Sequence, residues 1–262
     1  MTPEPDGTTR VALVTGAAGG IGAAVVRTLA ERGMHVAAVD VRATELRELA
    51  EKLTADGLHV VALPAEVSSA AQTEAVVAEA ERRLGPLDFL VNAAGVLRLG
   101  GVRDYRAEDW ATTFSVNAQG VFLMSQAVVR RMVPRNRGAI VTVSSNAAAV
   151  PRAGMAAYAA SKAAATMFTK SLGLEVARHG IRCNVVAPGS TDTPMLSSMW
   201  TDPSGPRRTI EGSPEDFRLG IPLGKLATPS DIAEAVAFLL SDQASHITLH
   251  ALTVDGGAAL GS

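Results

Sequence analysis

The sequence predicts an α/β chain built as a single doubly wound parallel sheet with helices on both faces. Three observations carry that expectation. Seven short, continuous apolar runs recur along the chain, as suits parallel strands buried on both faces. Longer segments of helical period separate them. The first apolar run also leads directly into a glycine-rich turn, Thr15-Gly16-Ala17-Ala18-Gly19-Gly20-Ile21-Gly22, and then a helix.

In order, strands are expected at residues 11–14, 36–39, 60–63, 89–91, 139–143, 183–186 and 251–254. The intervening helices are expected at 21–32, 43–53, 70–84, 108–132, 155–178 and 229–240. Residues 190–219 break the alternation: prolines at 194, 203, 206 and 214 and a weak helical period predict a mobile lid over about 190–219. No long linker and no fixed-period repeat interrupts the chain, so residues 10–262 read as one Rossmann-type domain behind a disordered tail at 1–9.

Composition narrows the function classes. The 262 residues carry a net charge of -2 with both signs interspersed, which argues against nucleic acid or a membrane surface as partner and favours a small molecule. Cys183 is the one cysteine, which excludes an internal disulfide and a multi-cysteine metal site; in its apolar run it reads as a core residue, and no metal is expected. The uncharged stretch 11–26 contains four glycines, follows an acidic rather than basic segment, and falls short of the ~20 apolar residues of a membrane helix. A soluble, cytoplasmic protein is the expectation.

Ligands of such sheets bind beyond the carboxyl ends of the strands. After the first strand, the glycines permit a tight turn and close approach of a pyrophosphate to a helix N-terminus. After the second stands Asp40, eighteen residues beyond Gly22, where a carboxylate accepts hydrogen bonds from the adenosine ribose hydroxyls and repels a 2′-phosphate. NAD is therefore expected rather than NADP, although Arg42 beside it is a residue type that accommodates that phosphate. Further on, Tyr158-Ala159-Ala160-Ser161-Lys162 places a phenol and an ammonium one helical turn apart on one face. A neighbouring cation favours the phenolate, so this pair suits proton transfer.

Taken together, Thr15 to Gly22, Asn92-Ala93-Ala94-Gly95, Asn117, Ser145, Tyr158, Lys162 and Pro188-Gly189 resemble the short-chain dehydrogenase/reductase family over nearly the whole chain. Ser145 stands thirteen residues before Tyr158, the family's usual spacing. The resemblance implies that Tyr158 takes the proton of a substrate hydroxyl, Lys162 lowers its pKa and holds the nicotinamide ribose, Ser145 bonds the reacting oxygen, and Asn117 supports a water-linked proton path. It implies cofactor contacts from Gly16, Ala18, Gly20, Ile21, Gly22, Asp40 and Val41, from Glu66 and Val67, from Asn92, Ala93, Ala94 and Gly95, and from Tyr158, Lys162, Pro188, Gly189, Thr191 and Thr193. Two positions depart from the family pattern: Ala93 stands where a second asparagine is frequent, and Glu66 where an aspartate is.

The segments that vary most among such enzymes, including Val96-Leu97-Arg98, Val150 to Met155, Ser190 to Thr193 and Met199-Trp200, resemble members that oxidise a ring alcohol of a cyclohexadiene carboxylate. Arg98 and Arg152 are then candidates for the carboxylate, and a guanidinium there suits it. Ser145, Asn146 and Gly189 would face the ring, with Met155, Met195, Met199 and Trp200 as an apolar wall. Whether the substituent at C2 is a hydroxyl or an amine stays open. A cofactor-binding regulator without catalysis is the competing class, since fold alone does not decide activity. By the same resemblance a homotetramer is expected, with contacts through 108–132, 155–178 and 251–260.

Overall fold

The computed structural model describes residues 9–261; the tail expectation for residues 1–8 lies outside them. The strands are β1 (Val11–Thr15), β2 (His35–Asp40), β3 (Val60–Pro64), β4 (Phe89–Asn92), β5 (Gly138–Val143), β6 (Ile181–Pro188), β7 (Gly212–Ser213), β8 (Arg218–Leu219) and β9 (Ala251–Val254). The α-helices are α1 (Gly20–Glu31), α2 (Ala43–Ala55), α3 (Ala70–Leu84), α4 (Ala107–Phe114), α5 (Gly120–Met132), α6 (Ala156–Val176), α7 (Pro194–Ser197), α8 (Gly205–Glu211) and α9 (Pro229–Leu240).

Seven strands form one parallel sheet in the order β3-β2-β1-β4-β5-β6-β9. Its strands are predominantly apolar because both faces are covered, and alternate residues point to opposite layers. In β1, Ala12 and Val14 join Val25, Leu29, Leu46 and Ile232 of α1, α2 and α9. Val11 and Leu13 face the other way, toward Val77, Met124, Val128 and Leu172 of α3, α5 and α6. The strand order reverses between β1 and β4, which opens the crevice where such sheets bind ligands.

Two local features depart from the expected pattern. The segment 108–132 is interrupted: a π-helical turn, Ser115–Gln119, joins α4 to α5, and Asn117 lies buried in it. Such turns are frequent at functional sites, because the wider turn re-aims residues that a continuous helix would carry round. The lid segment holds ordered structure, α7, α8 and the β7–β8 hairpin, in place of an element-free loop. Helix α8 closes over Trp200, whose ring lies where a Cβ at Gly205 would stand, so local packing succeeds where periodicity is too short to read.

Arg182 of β6 spans the layers. Its guanidinium donates to the carbonyls of Leu239 at 2.6 Å, Leu240 at 3.0 Å and Ser241 at 3.2 Å, capping the end of α9. Those carbonyls lack helical partners, and a cation there also complements the helix dipole. Arg182→Met should lower the unfolding free energy by about 2 kcal/mol, read from urea midpoints at constant m-value.

Candidate active site

The loops leaving the strands converge on two adjoining cavities. The larger, about 560 Å³, is walled by Gly16, Ala18, Gly20, Ile21 and Gly22 after β1, and by Asp40, Val41 and Arg42 after β2. Glu66 and Val67 after β3, Ala93, Ala94 and Gly95 after β4, and Thr193 complete it. Gly16 has φ +66°, and a Cβ there would lie 2.6 Å from the Ala94 backbone, so the turn closes only with glycine. A Cβ at Gly20 would meet Thr193 at 2.7 Å, filling the cradle. Helix α1 has no side-chain cap, which leaves its first amides free for an anion. These features fit a dinucleotide.

Asp40 is buried in the wall of this cavity. One carboxylate oxygen accepts from the Ala18 amide at 3.0 Å; the other accepts from the Arg42 amide at 2.9 Å and its Nε at 3.3 Å. Arg42 is thus drawn to Asp40. Asn92, by contrast, lines neither cavity. It is buried beneath the loop and donates to Ser125 Oγ at 3.0 Å and Thr142 Oγ1 at 3.4 Å, tying β4 to α5 and β5. The amides of Ala93 and Ala94 donate to Thr15 Oγ1 at 3.1 and 3.2 Å, so the two strand ends flanking the crevice are locked together.

The second cavity, about 340 Å³, contains Ser145, Asn146, Arg152, Met155, Tyr158, Pro188, Gly189, Thr191, Met195 and Met199 in its wall. Tyr158 and Lys162 share one face of α6, with the ammonium 5.8 Å from the phenol ring centroid. Lys162 Nζ donates to the Val143 carbonyl at the end of β5 at 3.0 Å. A Cβ at Gly95 would stand 3.2 Å from Nζ and 3.4 Å from Asn117 Oδ1, so this glycine leaves room for both side chains. Asn117 accepts from the Val96 amide at 2.8 Å and donates to the Val96 carbonyl at 2.9 Å and Ser161 Oγ at 3.0 Å, which clamps the turn after β4 against α6.

Burial pushes the Tyr158 phenol above the ordinary tyrosine value, with the Ser145 hydroxyl acting in the opposite sense. The same burial brings Lys162 down to about 8. Phenol and amine therefore each resist ionising alone, whereas a phenolate beside an ammonium stabilises both charges. The arrangement suits transfer of one proton at the tyrosine oxygen.

Two expected substrate residues lie elsewhere. Arg98 is absent from both cavity walls: Leu97 and Leu99 on either side of it border the smaller cavity, and the exposed Arg98 faces Asp109 at 3.9 Å. Trp200 is also outside; its indole donates to Thr209 Oγ1 at 3.2 Å and braces α8. Conversely, Arg218 and Asp216, from a hairpin too short to leave a sequence pattern, stand in the wall. Asn146 is held by Asp255, donating to its carboxylate at 3.1 Å.

Residues 10–204 match the family model described as short chain dehydrogenase. Among curated proteins, 2,3-dihydro-2,3-dihydroxybenzoate dehydrogenase of Bacillus subtilis is 56% identical, covering 96% of this chain and 97% of its own. The enzyme of the same name from Escherichia coli is 46% identical, covering 95% and 96%. Among solved structures, a single-residue variant of actinorhodin polyketide ketoreductase with NADPH superposes with a TM-score of 0.88 at 34% identity, covering 96% of this chain and 97% of its own.

Two buried groups, Lys162 and Cys183, oppose one another in pH dependence. Unfolded lysine holds its proton to about pH 10.4, so between about pH 8 and 10 the unfolded chain binds more protons at residue 162 and stability rises with pH. Burial pushes the Cys183 thiol up to about 12, so from about pH 8.5 the folded chain binds more protons at residue 183 and stability falls. Tyr158 joins the falling side only above about pH 10. Relative to the parent protein, Lys162→Met should lose stability between about pH 8 and 10 and Cys183→Ala should gain it, as urea midpoints across that interval will show.

Proposed function

Because the chain belongs to the short-chain dehydrogenase family, we propose that it oxidises the C3 alcohol of 2,3-dihydro-2,3-dihydroxybenzoate with NAD, giving the aromatic 2,3-dihydroxybenzoate that serves as a catechol acid in siderophore assembly. The observation that carries this reading is the content of one cavity: Ser145 and Tyr158 for a hydroxyl, and the guanidinium of Arg152 for a carboxylate. The two dihydroxybenzoate dehydrogenases, similar over nearly their whole lengths, support the same substrate.

When bound, the nicotinamide supplies a hydride acceptor for the carbinol hydrogen. Tyr158 accepts the hydroxyl proton as the carbon–hydrogen bond breaks, since the alcohol must lose both to become a carbonyl. Lys162, held on the Val143 carbonyl, keeps the phenolate accessible, and Ser145 donates to the substrate oxygen. Asn117 fixes the Gly95–Val96 turn beside Lys162, where a water-linked path would return the proton to solvent. The ketone then shifts its C2 hydrogen to oxygen and becomes aromatic, which drives the oxidation. Gly16, Gly20 and the uncapped start of α1 would hold the pyrophosphate, and Asp40 the ribose hydroxyls.

The segment 190–219 acts as a lid in this scheme, with Met195 and Met199 closing on the ring. A tetramer is consistent with the exposed apolar side chains of Trp110, Phe122, Met167 and Leu174 on α4, α5 and α6.

Tyr158→Phe should reduce kcat by about 10²- to 10⁴-fold while NAD affinity, measured by fluorescence titration, stays within a factor of about three. Asp40→Ala should move the ratio of kcat/KM for NADP over NAD upward by about tenfold, and an unchanged ratio would remove Asp40 from cofactor choice. Parallel assays with 2,3-dihydro-2,3-dihydroxybenzoate and 2,3-dihydro-3-hydroxyanthranilate, with products identified by mass, test the substrate: preference for the amine assigns 3-hydroxyanthranilate as the product.

A further inference from the structure

Arg218 stands in the wall of the cavity that holds Tyr158 and Ser145. It is not a loose surface cation. Its backbone belongs to the β7–β8 hairpin, where it faces Ser213, and its Nη2 donates to Ser190 Oγ at 2.9 Å, two residues beyond the end of β6. Arg152 reaches the same cavity from the loop before α6. Both side chains are half-buried.

Among the described residues neither arginine forms an ion pair, although each has a carboxylate in its surroundings. Those carboxylates are engaged by neutral donors. Asp216 accepts from Ser213 Oγ at 2.7 Å; Asp255 accepts from Asn146 Nδ2 at 3.1 Å and from the Gly257 amide at 2.9 Å. Burial depresses the Arg218 guanidinium most and the charge of Arg152 depresses it further, with Asp216 opposing; burial depresses Arg152 as well, with Asp255 opposing. Two half-buried like charges in one cavity leave a strong demand for an anion between them.

We propose that Arg218 and Arg152 together clamp the carboxylate of the substrate, with Arg218 the member that the lid contributes and that selects for the anion. The inference rests on the ring-carboxylate reading above and adds the residue that closes on the charge. A carboxylate accepts from both guanidiniums and relieves their repulsion; a neutral ring leaves the repulsion in place and gains only apolar contact. The Ser190 anchor holds the Arg218 head beside Gly189, so charge recognition and the end of β6 are joined by one hydrogen bond.

Benzoate and benzamide, which share a ring and differ in charge, separate this role from simple packing. With NADH present, calorimetric titration should show benzoate binding the parent protein at least about tenfold tighter than benzamide; Arg218→Gln should weaken benzoate by about 10- to 100-fold and benzamide by less than about twofold. Arg218→Lys should restore part of the benzoate affinity, because it returns a point charge without the planar fork. Equal losses for the two ligands would make Arg218 a brace for the hairpin and overturn the clamp, as would unchanged benzoate affinity. Turnover of the dihydrodiol carboxylate is measured separately on the same preparations. A protein that prefers benzoate through Arg218 but does not oxidise that diol keeps the clamp and refutes the proposed substrate. One that oxidises the diol without preferring benzoate keeps the substrate and refutes the clamp.

Discussion

A lysine ammonium taken out of water is costly unless polar groups meet it, and Lys162 is only 5% exposed. Among the described residues its ammonium makes one direct hydrogen bond, to the carbonyl of Val143, the last residue of β5, which aims it toward the strand ends. The neighbouring features serve that placement. Gly95 lacks the Cβ that would crowd Nζ, Asn117 holds the Gly95–Val96 turn in place through three hydrogen bonds, and Ser144 Oγ donates to the Lys162 carbonyl at 3.1 Å. Helix α6, strand β5 and the π-helical turn therefore meet at one charged atom, which lies 5.8 Å from the centre of the Tyr158 ring.

The parallel sheet supplies the frame. Reversal of strand order between β1 and β4 separates the helices that would otherwise cover the strand ends, and both cavities open along that line. Thr15 closes the floor by accepting from the Ala93 and Ala94 amides, which sets the spacing between the glycine turn and the Lys162 side of the site. Thr193 and Met195 border both cavities, so the start of the lid segment touches the dinucleotide side and the ring side together. Movement of that segment would thus alter both at once.

Charge is distributed unevenly between the cavities. Asp40 lies in the wall of the dinucleotide cavity and draws Arg42 to itself. Two guanidiniums mark the smaller cavity, with the nearby carboxylates committed to Ser213, Asn146 and Gly257. The larger cavity thus carries a buried carboxylate, and the smaller one carries two guanidiniums beside Tyr158.

Much of this was legible in the chain because it depends on local spacing. Strand positions follow from apolar runs, and the pairing of Tyr158 with Lys162 follows from four residues on a helix, whatever surrounds them. The glycine turn and Asp40 are likewise short-range features of a strand and its exit. The facing of side chains in loops and lid was not legible, because loop residues have no period. Leu97 and Leu99 border the cavity while Arg98 turns out to Asp109, Asn92 spends its amide on Ser125 and Thr142, and Trp200 packs on Gly205. Arg218 is sixty residues from Tyr158 and sits in a two-residue strand, so no local pattern announces it. The sequence by itself determined the sheet, the helices and the spacing of the proton-transfer pair, because these answer to burial and repeat geometry. Only the tertiary structure decided which charges share a cavity, because that depends on how distant loops fold back over the strand ends.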